Sequence, residues 1–191
     1  MFLATDALVI GLRAIAFVAL FQAAGGAIFL TIYERSVARE SADTLRNVAR
    51  VAALVALCAT VLSYVLTPAR MAGDFGSTFD PALESLLLRS SSGSAHIVRV
   101  IGLAVLLLAL DRASVWHLRA ATAGAALALG SFALMGHTVI HAQRWALAPL
   151  LLAHVGAAAF WVGGLTGLYV GVRDTRVHAA ALVARFSTHA V

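Results

Sequence analysis

The sequence has few charged residues, few prolines and a single cysteine. Charged residues make up 12% of its 191 positions, there are three prolines, and all fourteen basic residues are arginine. Hydrophobic residues make up 61%, against roughly 45–50% apolar and about 25% charged residues in soluble domains. This composition excludes an ordinary soluble domain. A lone cysteine, Cys58, excludes a disulfide framework and a CxxC metal motif.

Five apolar stretches predict membrane-spanning helices. A bilayer core about 30 Å thick requires about 20 helical residues. Only the third stretch is shorter than that, unless its helix begins upstream, near Ser91. We therefore predict an all-α polytopic transmembrane helical bundle, a single domain over residues 1–191, with five spans and the start of a sixth. The stretches are Ala7 to Tyr33, Val48 to Thr67, His96 to Leu110, Val115 to Ile140 and Trp145 to Val172, and the sixth begins within Arg176 to Val191.

Loop arginines indicate the orientation of the bundle. Cytoplasmic loops of membrane proteins carry an excess of basic residues, which places the odd-numbered connections in the cytoplasm and the N-terminus in the periplasm. The net charge of +5 then anchors the chain to the inner leaflet. No basic patch with aromatic platforms is present, so we expect no nucleic-acid partner. The odd connections hold Arg35, Arg39, Arg46, Arg50, Arg112, Arg119, Arg173, Arg176 and Arg185, and the even ones hold Arg70, Arg89 and Arg144.

Four histidines are predicted to lie in the outer half of the membrane. His96 opens the third helix, and His137 and His141 lie four residues apart in the predicted last turns of the fourth. His154 lies roughly 13 Å along the fifth helix from Trp145. We expect His137 and His154 to face each other at comparable depth on neighbouring helices. Ionisable residues inside a membrane usually serve a function, so this group predicts metal or proton chemistry.

Each histidine also has a purely structural explanation. His96, His137 and His141 could lie at the membrane interface, and His154 could donate a buried hydrogen bond to a neighbouring carbonyl. Two methionines add weak support for copper, because thioether and imidazole ligands together suit Cu(I). Met71 lies in the second loop, whereas Met135 precedes a histidine by two residues and would point away from it on a helix.

The fifth stretch combines a histidine with small residues. Trp161 follows His154 by seven residues and returns to the same helix face. Gly163 and Gly164 would let another backbone approach closely. This pattern predicts a tight helix contact around a site, although an ordinary packing face would also account for it.

Four short groups of residues, spread along the chain, form a recognisable combination. They are Gly136-His137, His154 followed by Trp161-Val162-Gly163-Gly164-Leu165, Phe186-Ser187 and the stretch from Arg70 to Arg99. Together they resemble the copper resistance protein D (CopD) family of bacterial inner-membrane proteins. The resemblance implies a protein that handles copper from the periplasm, often beside a periplasmic copper-carrier protein, with His137 and His154 as the copper ligands.

Members of that family typically continue through further helices, whereas this sequence ends at Val191. We expect either the N-terminal part of a longer architecture or a shortened member. A homo-oligomer or a missing second half would then complete the wall around the site.

The predicted function is copper-ion binding and transport across the inner membrane, from periplasm to cytoplasm, and not an enzymatic activity. His137 and His154 would ligate Cu⁺ or Cu²⁺, with His141, His96 or Met71 as entry ligands. One alternative is a b-type haem cytochrome, with haem held by histidines on neighbouring helices. Another is a scaffold that delivers copper to a membrane oxidase. HExxH, GxSxG and phosphate-binding glycine motifs are absent from the sequence.

Overall fold

The fold is known from a computed structural model that describes residues 2–112, 114–136, 141–173 and 179–190. These residues are nearly all helical and contain no β-strand, which confirms the all-α prediction. The α-helices are α1 (Phe2–Tyr33), α2 (Arg39–Val65), α3 (Thr67–Ala72), α4 (Pro81–Leu88), α5 (Ser91–Ala109), α6 (Val115–Gly130), α7 (Arg144–Val172) and α8 (Ala179–Ala190), with 3-10 turns at Glu34–Ser36, Phe75–Phe79 and Ser131–Leu134.

Within the described ranges, 4 helices are long and apolar enough to cross a membrane, namely α1, α2, α5 and α7. The helix α6 has 16 residues, fewer than the roughly 20 that a span requires. The helix α8 has 12 residues and is the region predicted as the start of a sixth span. The membrane-spanning bundle is thus confirmed, whereas the predicted number of five spans and the start of a sixth is not.

The second connection is folded rather than extended. The short helix α3 ends at Gly73, whose φ of 74° lies in the left-handed region that glycine adopts readily. The Asp80 carboxylate accepts hydrogen bonds from the backbone N–H groups of Ala82 and Leu83, in the first turn of α4, at 2.8 and 3.1 Å. The Ser90 hydroxyl accepts the N–H of Gly93 at 3.1 Å, which fixes the start of α5 at Ser91. The helix of the third predicted span therefore begins at Ser91, the upstream start that the length of a membrane span had required.

The helix α6 ends earlier than the sequence indicated. It stops at Gly130 and is followed by a 3-10 turn, the extended residue Met135 and Gly136 at φ 78°. The Ser131 hydroxyl donates to the carbonyl of Ala128 at 2.6 Å, and such local bonds compete with continued helix. The prediction of one continuous helix to Ile140 is wrong for this reason.

Two ion pairs mark the opposite ends of the bundle. Asp6 accepts a hydrogen bond from Arg70 at 2.7 Å, near the start of α1 and just after α2. Arg50 lies 3.0 Å from Asp111, which joins the start of α2 to the connection between α5 and α6. We call these two ends of the bundle the Asp6 end and the Asp111 end. The first and third connections lie together at the Asp111 end.

The helix α1 is the central element and packs against α2, α6 and α7. Its contact with α7 is made backbone to backbone. A Cβ built on Gly25 would lie 1.8 Å from the carbonyl oxygen of Ala159, and a Cβ on Gly163 would lie 2.2 Å from the nitrogen of Gly26. The predicted close approach at Gly163 is therefore confirmed, with α1 as the partner helix.

Candidate functional site

The first predicted copper ligand, His137, lies outside the described residues. Its proximity to His154 stays a prediction. What the structure describes is the chain up to Gly136, the other histidines in the same half of the bundle, and their neighbours.

His154 lies on α7 with its side chain exposed, while Val155 beside it is buried. An imidazole on the outside of the bundle does not make the buried hydrogen bond that would explain it structurally. The helix α7 packs mainly against α1 and only slightly against α6. The pairing of the fourth and fifth predicted helices around one site is therefore a minor contact among the described residues.

The three packing residues predicted around the site contact other helices. Gly163 meets α1, and a Cβ on Gly164 would lie 2.5 Å from the ring of Phe186 in α8. Trp161 is exposed and meets the same Phe186 ring edge-on at 6.1 Å. The seam is a close contact, as predicted, but it joins α7 to α1 and α8 and does not surround His154.

His141 and Met71 are both exposed at the Asp6 end. His141 precedes α7 and accepts the backbone N–H of Gln143 through Nδ1 at 3.1 Å. It does not lie on the helix that was predicted to carry it, because α6 has already ended. Met71 follows Arg70 in α3 and is 49% exposed. None of the described contacts joins Met71 to a histidine.

His96 is buried, at 5% exposure, and was expected to be a plain interface residue. Its Nδ1 lies 2.8 Å from the carbonyl oxygen of Ser92, one turn earlier in α5. Because a carbonyl only accepts hydrogen bonds, Nδ1 must carry the proton, and a neutral ring then has its lone pair on Nε2. Metal-ligating histidines are commonly oriented in this way by a backbone carbonyl.

A small apolar cavity borders the His96 ring. It has a volume of about 250 Å³ and is lined by residues of α2, α4 and α5. The Tyr64 ring packs against the imidazole with 5.3 Å between ring centroids. The ring is thus held on one side by the backbone of α5 and on another by an aromatic side chain, so its direction is fixed.

Arg99 is the residue that sequence reasoning missed. It is 4% exposed and lies one turn after His96 on α5. Its Nε donates to the Ser131 hydroxyl at 2.9 Å, and a terminal nitrogen lies 3.5 Å from the Met135 sulfur. The guanidinium also lies over the Phe132 ring, 4.5 Å from its centroid. The signal was available, because a charged residue inside an apolar stretch is a functional candidate by default.

Among the described residues, no carboxylate forms an ion pair with Arg99. Arg13 of α1 is close enough for its charge to act on both Arg99 and His96. This part of the Asp6 end is therefore cationic. A positive environment weakens the hold on any metal cation.

The arrangement offers neutral donors rather than a complete metal cage. The described residues contain no group of three or more His, Cys, Asp or Glu side chains that could hold a metal ion. What they do contain is a buried, oriented imidazole, at His96, and the Met135 thioether, which Arg99 links to α5.

Four apolar helices that pack around a common core make this chain a multi-pass membrane protein. The family model described as copper resistance protein D-like, N-terminal domain, matches residues 4–143. The chain therefore belongs to the family of copper resistance protein D-like N-terminal domains, and this membership indicates a copper-related function. No curated protein and no solved structure matches the chain.

The matched range ends one residue before α7. It includes the predicted site residues Met71, His96, His137 and His141. The remaining four, from His154 to Gly164, lie beyond it. The matched range thus covers the Asp6 end of α5 and the segment after α6, but it does not reach α7.

Proposed function

We propose that this protein binds copper ions at the Asp6 end of its bundle and passes them across the membrane. The observation that carries the proposal is the contact between Arg99 and Met135. It ties the helix of the buried His96 to the segment that continues, two residues later, to His137. Family membership supplies the copper-related chemistry.

His96 and His137 are the proposed inner ligands. In the neutral, oriented His96 ring, the Nε2 lone pair is available to ligate a metal ion. None of the described hydrogen bonds uses it. Imidazole and thioether donors suit Cu⁺. The cationic surroundings from Arg13 and Arg99 reduce the affinity of such a site, and a transport site requires release as well as binding.

His141 and Met71 are proposed to meet the ion first. Both are exposed at the same end of the bundle as His96. An exposed thioether and an exposed imidazole could accept copper from a periplasmic copper-carrier protein. They would then pass it to the buried ring.

His154 is proposed as a ligand of a different kind. Its exposed position on α7 means that copper would reach it from outside the described bundle. An imidazole that faces lipid is costly. A second copy of the chain or further helices would therefore cover this face.

The proposed direction follows from the arginines. The Asp111 end carries Arg50, Arg112, Arg119 and Arg185, which the positive-inside tendency places in the cytoplasm. The Asp6 end then faces the periplasm of a bacterial inner membrane. Copper would enter there and leave towards the cytoplasm.

Copper affinity of the purified protein tests the proposal directly. In competition with a Cu⁺ chelator, His96→Ala and His137→Ala should each weaken binding, and acid pH should do the same, because protons compete for imidazole. His117→Ala is the matched control, since His117 lies at the other end, where Nδ1 is 2.7 Å from the Ser114 hydroxyl. Full affinity in both site variants would refute the proposal.

Two further measurements separate the alternatives. Copper uptake into proteoliposomes is expected for transport, whereas unchanged cytoplasmic copper with a defective oxidase would favour a delivery scaffold. An absorption spectrum without a Soret band is expected; a strong Soret band would instead assign the histidines to haem.

A further inference from the structure

The Asp111 end contains a second, chemically different site. A cavity of about 450 Å³ lies between the end of α1, the start of α6 and α8. It is separate from the proposed copper ligands, which lie at the Asp6 end. Its polar wall is formed by three arginines, Arg35, Arg119 and Arg185.

The described residues that line this cavity carry more positive than negative charge. Glu34 is the acidic residue among those that line it, and its carboxylate already lies 2.9 Å from Arg46. Arg185 is held in place by a hydrogen bond of 2.6 Å to the Ser36 hydroxyl and lies over the Tyr33 ring. The described residues that line the cavity therefore include three arginines and one glutamate, and together they carry a net positive charge.

The opposite wall of the cavity is apolar. Ile32 of α1 and Val115 and Leu118 of α6 contribute to it. Ile32 and Val115 are both exposed, so the apolar wall opens onto the outer surface of the helices, which would face lipid in a membrane. A ligand that matches both walls has an anionic head and a hydrocarbon chain.

Neighbouring aromatic residues place the cavity at the depth of lipid headgroups. Trp116 is 75% exposed at the start of α6, with Arg119 over its ring at 5.1 Å. On α7, Arg173 lies 4.2 Å from the centroid of the Tyr169 ring. Exposed tryptophan and tyrosine beside arginine are typical of the membrane–water interface.

We infer that this cavity binds the phosphate headgroup of an anionic phospholipid. Arginine recognises phosphate oxygens in bidentate fashion, and basic pockets between transmembrane helices are known to bind anionic headgroups. The acyl chains would follow Ile32, Val115 and Leu118 into the bilayer. A free phosphate ion would use the arginines but would leave the apolar wall without a partner.

Lipid retention by the purified protein tests this inference. Protein taken from nanodiscs with equal phosphatidylglycerol and phosphatidylcholine should retain phosphatidylglycerol preferentially in native mass spectrometry. Replacing Arg35, Arg119 and Arg185 by Gln should remove the preference, each arginine contributing about five-fold. The control, Arg112→Gln with Arg173→Gln, removes two arginines from the same end that do not line the cavity, and it should leave the preference intact.

The wild-type protein alone can overturn the inference. Equal retention of the two lipids would exclude a site for anionic lipid, whether or not the triple variant folds. Arg35→Gln is a milder variant, because its exposed side chain makes none of the described hydrogen bonds, and it should lower phosphatidylglycerol retention about five-fold. If inorganic phosphate displaces phosphatidylglycerol completely, the ligand is free phosphate and the lipid assignment is wrong.

Discussion

Gly25 of α1 and Gly163 of α7 occupy the same crossing point, where neither helix has room for a methyl group. A Cβ on Gly163 would lie 2.5 Å from the Cα of Gly25, and a Cβ on Gly25 would lie 2.8 Å from the nitrogen of Gly163. Without a hydrophobic driving force between helices in lipid, this close packing is a main source of stability. The glycine pair therefore determines how α7 is held against the bundle.

Adding a methyl group at this crossing should destabilise the protein. Gly25→Ala or Gly163→Ala is expected to cost about 1–3 kcal/mol, the usual range for overpacking, measured as thermal unfolding in detergent. Gly156→Ala is the control on the same helix, because nothing lies within 4 Å of a Cβ there. Equal loss in all three variants would mean that glycine at the crossing has no special packing role.

Replacing Arg99 by an uncharged residue should lower copper affinity without lowering the stability of the protein. Arg99→Met keeps an apolar chain of similar length but loses the contacts to Ser131 and Met135. Because the variant removes a buried cation without a described acidic partner, the unfolding temperature should not fall. Copper affinity should fall about 10-fold to 100-fold, as for other residues that position ligands. Unchanged affinity would show that Arg99 does not position the segment before His137.

The three described candidate histidines should differ in their effect on copper affinity. His96→Ala should weaken binding more than His154→Ala, because the first ring is buried and oriented and the second is exposed. His141→Ala should mainly slow copper loading, since this exposed side chain lies at the surface of the Asp6 end. Chelator competition measures the affinities, and stopped-flow loading from a Cu⁺ donor measures the rate. A larger loss for His154→Ala would place the main site on α7.

Two arginines one turn apart on α2 should contribute unequally to stability. The Arg46 side chain is 8% exposed and contacts both Glu34 and Asp43, whereas the Arg50 side chain is 41% exposed and pairs with Asp111. Arg46→Met should cost about 1.5–3 kcal/mol, and Arg50→Met less than about 1 kcal/mol. Chemical or thermal unfolding at low and high salt measures both. Equal costs at low salt would contradict the difference in burial.

Much of the fold could be predicted from the sequence. The apolar stretches identify α1, α2, α5 and α7, because burying about 20 residues in lipid requires a helix whose backbone groups bond internally. The glycines at 163 and 164 predicted a close contact. The ion pair between Arg50 and Asp111 joins two of the arginine-bearing connections at one end, whereas the orientation that the arginine counts predicted stays a prediction.

The candidate site was less predictable, for physical reasons. Periodicity cannot show which helix face meets which neighbour, so the exposure of His154 and the burial of His96 could not be derived. At the early end of α6, Ser131 also accepts a hydrogen bond from Arg99 of α5, and no local pattern reveals such a tertiary contact. Arg99 itself could have been identified, since its charge interrupts an apolar stretch.

The early end of α6 has a consequence for the permeability barrier. Its 16 residues extend about 24 Å, less than the roughly 30 Å of a bilayer core. From Ser131 to Gly136 the described backbone is no longer α-helical. Inside a bilayer, such backbone persists only where protein or water shields its polar groups. The apolar barrier beside the Asp6 end of α6 is therefore expected to be interrupted by protein or water.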